Sequence, residues 1–231
     1  IFVMTLLLAF IYKFANIDKT MSAQMFPLEI LTMQLDMLLP IFISILIADI
    51  ITDEYRTGTL KLPLIHPVSR KKLLNSKLFV LVITISFLLL FSLIISYGLG
   101  MSLFAWEEGF SFNETIYTAN QGIFITIGSY IISILPLLTF SLLIMLISLK
   151  LSSSGAVVGS AIGLLFGFDI LIQLSEVVRP YILNYYFRYY SILINKGIGE
   201  ESIIGFLVII LYGTVAYLLA VKIFQEKDIV Y

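Results

Sequence analysis

The chain has 231 residues, of which 60% are hydrophobic and 13% charged, and its mean hydropathy is +1.05. Soluble domains are about 45–50% apolar, so this composition excludes a soluble globular protein and predicts an integral membrane protein. The chain has no cysteine and one histidine, His66, which excludes disulfides and thiolate metal sites and argues against a histidine-based metal site or catalytic triad. The net charge of −1 indicates little, because in a membrane protein the distribution of charge matters more than its total.

Long apolar runs predict an all-α membrane protein, a single transmembrane domain with six transmembrane helices. The first run, Ile1 to Tyr12, is too short to span a bilayer, so we expect that an N-terminal piece is missing from this sequence. We expect Pro40 to loosen the second span and an acidic loop to follow the third. The predicted spans are residues 1–12 (truncated), 35–51, 78–104, 122–149, 155–174 and 203–224.

A polar segment, Asp49 to Lys77, separates the second and third spans. Thr52 can cap a helix whose first turn carries Asp53 and Glu54, and acidic residues are favourable at that end of the helix dipole. Two prolines predict a break in this helix near residues 62–66. The cations that open the next helix favour contact with anionic lipid headgroups or with an acidic partner surface.

The counts of lysine and arginine predict the orientation in the membrane. The side that holds the polar segment has nine of these residues, six of them in that segment, and the opposite side has five. We therefore expect the polar segment and both termini to be cytoplasmic. The five residues on the opposite side are Lys13, Lys19, Arg179, Arg188 and Lys196.

The polar segment also carries a family signature. Its residues are Asp53-Glu54-Tyr55-Arg56-Thr57-Gly58-Thr59-Leu60, then Pro67-Val68-Ser69-Arg70, then Lys77, and the chain ends with a matching stretch, Phe224 to Ile229. This pattern resembles type-2 ABC exporter permeases, the transmembrane subunits of bacterial ABC transporters, and with the six-span layout the resemblance covers nearly the whole chain. Pro63 departs from the family pattern and leaves the C-terminal limit of the first short helix open.

The resemblance implies that residues 53–65 form a coupling helix that docks into a separate ATP-binding subunit. It further implies two such subunits, which hold ATP and magnesium, a second permease copy in a homodimer, re-entrant helices between spans 5 and 6, and a location in the bacterial cell membrane. The chain itself has no phosphate loop of the Gly-x-x-x-x-Gly-Lys-[Ser/Thr] type, so we expect it to bind no cofactor and to leave hydrolysis to its partner. Membrane lipids are expected partners and nucleic acid is not. The predicted coupling residues are Asp53, Glu54, Tyr55, Arg56, Gly58, Thr59 and Leu62.

The fifth span carries four glycines at a strict spacing of four: Gly155, Gly159, Gly163 and Gly167. This spacing forms a smooth stripe that allows another helix to approach closely. Two interpretations stay open, packing against a helix of the same chain or a subunit interface. The resemblance favours the second, because in that family the fifth span lies near the dimer axis.

Three acidic residues lie in or beside the predicted spans. Asp36 and Asp49 can reach opposite headgroup layers, so we interpret both as end residues whose charge extends to the membrane surface. Asp169 lies deeper and requires a polar cavity or a protonated state. A tyrosine-rich stretch follows it, which is typical of the membrane interface; the resemblance instead implies that it shapes an outer exit. The candidate translocation residues are Asp169, Tyr185, Tyr186 and Arg188.

The leading hypothesis is an ATP-driven exporter permease that moves amphipathic peptides, toxins or drugs out of the cell, with peptide transport and antibiotic resistance as expected roles. A sodium-efflux permease is the first alternative. Two alternatives from other classes are a membrane-bound enzyme that uses Asp169 with Asp36 or Asp49, and a scaffold that anchors a cytoplasmic partner.

Overall fold

The structure of the protein, a computed structural model, describes residues 1–14, 21–54, 69–107, 109–112 and 115–226. A short hairpin, β1 (Gly109–Phe112) and β2 (Thr115–Thr118), and two 3₁₀ turns, Arg179–Tyr181 and Leu183–Tyr186, connect the helices. The helices of these ranges are α1 (Phe2–Phe14), α2 (Phe26–Asp53), α3 (Arg70–Leu103), α4 (Ala119–Ser148), α5 (Ser154–Leu174), α6 (Tyr189–Lys196) and α7 (Glu200–Glu226).

Five helices in the described part of the chain are long and apolar enough to cross a membrane: α2, α3, α4, α5 and α7. This confirms a helical membrane protein, whereas the count of six spans and the re-entrant helices stay predictions. Helix α2 begins at Phe26, well before the predicted start of the second span at Leu35, because Phe26, Leu28 and Ile30 are buried in the core. The hairpin occupies part of the region that the sequence predicts as an acidic loop.

Helix α2 contains two π-helical segments, Gln34–Leu38 and Ala48–Asp53, in which the backbone is wider than in an α-helix. The first ends beside Pro40, where the N–H of Leu39 bonds to the carbonyl of Gln34. A proline ring lacks an N–H and clashes with the carbonyl four residues earlier, so a wider turn before it relieves the strain. The expected loosening at Pro40 therefore takes the form of a π-helical turn.

Helix α4 lies in the middle of the bundle and packs against α2, α3 and α7. Small hydroxyl residues on its buried faces allow close approach of the neighbouring helices. The hydroxyl of Ser133 bonds to the carbonyl of Ser129 within the helix, and that of Thr139 bonds across to the carbonyl of Ile209 on α7. These internal bonds remove the cost of burying a hydroxyl group away from water.

The ends of the helices meet in two layers at opposite ends of the bundle. At one end, the start of α3 reaches the end of α7, where Arg70 donates to the carbonyl of Gln225 at 3.0 Å. At the other, the segment before α2 pairs with the end of α3, where the N–H of Ala23 donates to the carbonyl of Ala105 at 3.0 Å. The first end is called the inner end below, and the second the outer end, after the orientation that the lysine and arginine counts predict.

The orientation can be tested with single cysteines because the natural chain has none. Ile198, beside the start of α7 at the outer end, is 92% exposed, and Ser152, in the turn between α4 and α5 at the inner end, is also exposed. We expect Ile198→Cys to react with an impermeant thiol reagent on intact cells and Ser152→Cys to react only after permeabilisation. The opposite labelling pattern would invert the topology.

Candidate functional site

At the inner end, the exit from α2 is fastened to two other helices. Lys77 of α3 is buried, and its Nζ donates to Glu54 Oε2 at 2.6 Å and to the carbonyl of Ile50 at 2.7 Å. Asp53 accepts a hydrogen bond from the hydroxyl of Ser154, at the start of α5, at 2.6 Å. A buried ammonium needs such partners, since an uncompensated charge there is strongly destabilising.

These contacts place the first two predicted coupling residues. Asp53 and Glu54 both bond to their own chain and so fix the position at which the polar segment leaves the bundle. The break predicted near residues 62–66 and the coupling residues Tyr55, Arg56, Gly58, Thr59 and Leu62 lie outside the described residues. The sequence flagged Lys77 only as part of the family signature, not as the partner of Glu54.

At the outer end, an ion pair joins α2 to the segment between α5 and α7. Arg188 donates from Nε to Asp36 Oδ1 at 2.8 Å, and its Nη2 bonds to Oδ2 of the same carboxylate. The hydrogen bonds to Asp36 raise the pKa of the Arg188 guanidinium above its ordinary value. The carboxylate of Asp36 is thus held in a two-bond pair with Arg188, a partner that its interpretation as an end residue facing the headgroups did not include.

The Asp36–Arg188 pair lies on the wall of an outer cavity of about 450 Å³, formed by α2, α5, α6 and the start of α7. Of the candidate translocation residues, Tyr185 and Arg188 line this cavity. Asp169 is exposed and accepts a hydrogen bond from the side-chain amide of Asn184 at 3.2 Å, so an amide rather than a cation provides its polar contact. The polar and charged residues of the wall are Asp36, Asn184, Tyr185, Arg188, Ser191, Asn195, Lys196 and Glu201.

The tyrosine-rich stretch is packed into the bundle at three of its positions. Tyr186, Tyr189 and Tyr190 are buried, and their hydroxyls bond to the carbonyl of Pro180, to the carbonyl of Ser202 and to the hydroxyl of Thr32. Burial raises the pKa of Tyr186 and that of Tyr190 to about 12, so both hydroxyls stay protonated at physiological pH. An interfacial belt does not describe these three tyrosines, because their polar ends bond to protein; Tyr181, 62% exposed, remains compatible with one.

A second polar contact of α2 was not predicted from the sequence. Gln34, in the first π-helical segment, is buried; it accepts from the hydroxyl of Ser92 at 2.6 Å and donates to the hydroxyl of Thr5 at 3.4 Å. It therefore joins α1, α2 and α3 inside the bundle. A glutamine in an apolar run was the available signal, although the sequence could not identify its partners.

The glycine stripe of α5 is open in the single chain. A Cβ atom built on Gly155, Gly159, Gly163 or Gly167 would meet no atom within 4 Å among the described residues. Packing within the same chain, one of the two interpretations of the stripe, therefore has no support in the described part of the structure. The same face of α5 exposes Phe166 and Ile170.

The fold and these contacts define a polytopic helical membrane protein with a polar segment fastened at its inner end and a charged cavity at its outer end. The family model described as ABC-2 family transporter protein matches residues 1–168. The chain belongs to this family, and it is therefore a permease-type membrane subunit that associates with an ABC ATP-binding subunit. No curated protein matches the chain closely enough to count as a relative.

At Gly205 of α7, the tyrosine-rich stretch packs closely against the helix backbone. A Cβ there would lie 2.5 Å from Cε1 of Tyr186 and 2.9 Å from Cε2 of Tyr189. We expect Gly205→Ala to lower the free energy of unfolding by about 1–3 kcal/mol through overpacking. Thermal unfolding in detergent measures the change.

Gly128→Ala is the matched control for this prediction, since a Cβ at Gly128 meets no described atom within 4 Å. It should leave stability unchanged or raise it by up to about 1 kcal/mol through helix propensity. Equal unfolding temperatures of the two variants would contradict the close packing of the tyrosine-rich stretch on α7.

Proposed function

We propose that the protein is the transmembrane permease subunit of a bacterial ABC exporter that moves amphipathic molecules out of the cell. Two ATP-binding subunits would hold ATP and magnesium, and a second copy of the chain would complete the pathway, with both termini in the cytoplasm. The observation that carries the proposal is the fastening of Asp53 and Glu54 at the entrance to the polar segment, in a chain of the ABC-2 family.

In the proposed mechanism, motion passes along helix α2 from the inner end of the bundle toward the outer cavity. Closure of the ATP-binding subunits displaces the coupling segment, residues 53–65, and the displacement enters α2 at Glu54. Because the Glu54–Lys77 ion pair joins α2 to α3, these two helices move together. Helix α2 then changes the position of Asp36 at the outer cavity, so that ATP biases an equilibrium between two arrangements of the spans.

The coupling can be tested by reversing the charges of the Glu54–Lys77 pair. Lys77 has an 8% exposed side chain and Glu54 a 39% exposed one, so Glu54→Lys and Lys77→Glu each place two like charges together. We expect each single variant to reduce the ATP turnover that depends on the permease, measured with the co-expressed ATPase in liposomes. The double variant Glu54→Lys/Lys77→Glu restores opposite charges and should recover a large part of it.

Lys150→Glu, an exposed position in the inner turn between α4 and α5, is the control with the same change of charge. It should leave turnover near that of the unaltered chain, and all variants are compared at equal amounts in the membrane. ATP turnover that is the same with and without the permease would remove the exporter proposal.

For the second copy, we propose that the glycine stripe of α5 is the contact between two permeases. In support, a Cβ on any of its four glycines meets open space in the single chain, and the stripe lies beside the exposed apolar residues Phe166 and Ile170. Two stripes of this kind can bring helix backbones into close contact, which dispersion stabilises in a membrane.

Gly159→Leu tests the permease contact. Because a Cβ at this position meets no described atom within 4 Å in one copy, we expect little change in the stability of the monomer but loss of the dimer, measured by crosslinking in native membranes. Gly98→Leu on α3 is the matched control, since Gly98 is also exposed and open. Dimers that persist equally in both variants would exclude the stripe as the interface.

The cargo is proposed to be amphipathic rather than a sodium ion. A dehydrated ion requires several convergent oxygens. Asp169, the deep acidic residue of the sodium alternative, is exposed and bonds to the amide of Asn184. A cavity with charged and apolar walls instead suits a molecule with one charged and one apolar part. Protection of a sensitive strain against sodium alone, abolished by Asp169→Asn, would reverse this choice.

A further inference from the structure

We propose that the outer cavity binds the head of a zwitterionic amphiphile that carries a primary ammonium and an acidic group. This inference rests on the proposed export of amphipathic molecules and narrows the cargo to one charge pattern. It is argued from three observations: the paired charges of the cavity wall, an acceptor oxygen that lacks a donor, and the apolar helix face beside the opening.

The charges of the wall are balanced. Arg188 pairs with Asp36, Lys196 pairs with Glu201, and all four residues line the cavity. A ligand with a single charge that inserts into either pair leaves one protein charge without its partner, which has a modest cost in pairs that are about half exposed. A zwitterion offers an anion to the cation and a cation to the anion, so it can replace a pair without that cost.

Both pairs are accessible enough to be exchanged. The side chains of Asp36 and Arg188 are 47% and 49% exposed, and that of Lys196 is 61% exposed. Glu201 is more enclosed and also accepts a hydrogen bond from the hydroxyl of Tyr185 at 2.7 Å. The guanidinium and the ammonium are therefore the groups that a ligand acid can reach, and the Asp36 carboxylate can accept the ligand ammonium.

Asn184 favours an N–H donor on the ligand. Its Nδ2 donates to the carbonyl of Leu165 at 3.1 Å and to Asp169 at 3.2 Å, an arrangement that the reversed amide could not make because oxygen would face oxygen. Its Oδ1 is buried and has no hydrogen-bond partner among the described residues. Because Asn184 lines the cavity, a ligand ammonium that displaces the atoms covering Oδ1 would supply the missing donor, whereas a quaternary ammonium has no hydrogen to give.

The apolar part of the ligand has a surface to follow. Ile172 and Ile192 line the cavity between the charged groups. Helix α5 also exposes Leu171 and Leu174 near Ile172. An amphiphile whose head occupies the cavity can therefore keep its tail along α5 without exposing it to water.

The site can be tested on the purified permease alone, without its ATPase. Equilibrium binding is measured for amphiphiles with one common fluorescent tail and four heads: phosphoethanolamine, phosphocholine, phosphoglycerol and a simple amine. We expect phosphoethanolamine to bind about tenfold more tightly than each of the others, the size of one charge-assisted hydrogen bond. A fifth amphiphile with an amino-acid head, in which a carboxylate replaces the phosphate, shows whether the site prefers a phosphate or a carboxylate as the acidic group.

Variants of the wall provide the second readout. We expect phosphoethanolamine binding to weaken about tenfold in Arg188→Gln and also in Lys196→Gln, whose lysine is more exposed than Arg188. The control, Lys150→Gln at the inner end, should leave the affinity unchanged. Thermal unfolding verifies that each variant is folded, and Lys196→Gln keeps the test valid should Arg188→Gln unfold. Equal affinity for all heads, or unchanged affinity in both wall variants, would overturn the site. Selective binding without ATP-driven transport would support the binding site and contradict the exporter proposal. Transport without selective binding would support the exporter proposal and contradict the binding site.

Discussion

Lipid provides no hydrogen bonds, so polar groups inside the bundle are stabilised by partners within the protein. Four polar residues along α2 have such partners: Thr32 bonds to Tyr190, Gln34 to Ser92 and Thr5, Asp36 to Arg188, and Glu54 to Lys77. These contacts reach α1, α3 and the stretch between α5 and α7. The polar side chains of a single helix thus determine how its neighbours are arranged around it.

The two ion pairs of α2 are 18 residues apart, one at its inner end and the other ten residues from its outer start at Phe26. From Asp36 to Glu54 the helix rises roughly 27 Å at 1.5 Å per residue, close to the thickness of the hydrocarbon core. The inner pair includes a buried lysine, and the outer pair is half exposed. The inner end is therefore the firmly held one, and the outer end is the one at which a ligand can compete with the protein's own contacts.

Apolar runs in the sequence were sufficient to predict the class of fold, because it depends on local composition, and the resemblance of the motif in the polar segment was sufficient to predict the family. The partners of the flagged residues could not be predicted in this way. Asp36 and Arg188 were both noted, but they are far apart in the sequence, and only packing brings them together. The same applies to Gly205, whose neighbours Tyr186 and Tyr189 lie on another element, and to the hairpin, whose strands are too short to give a strong pattern.

The π-helical turn at Gln34–Leu38 has a consequence for the direction in which side chains face. An α-helix advances about 100° per residue, so one residue added to a turn rotates everything before it by that angle relative to everything after it. With the added residue, Gln34 faces the interior beside Ser92, while Asp36 reaches Arg188. Deletion of one residue here would restore an ordinary helix and turn the outer third of α2 out of phase with the remainder. The length of this short segment is thus as tightly constrained as the identity of its residues.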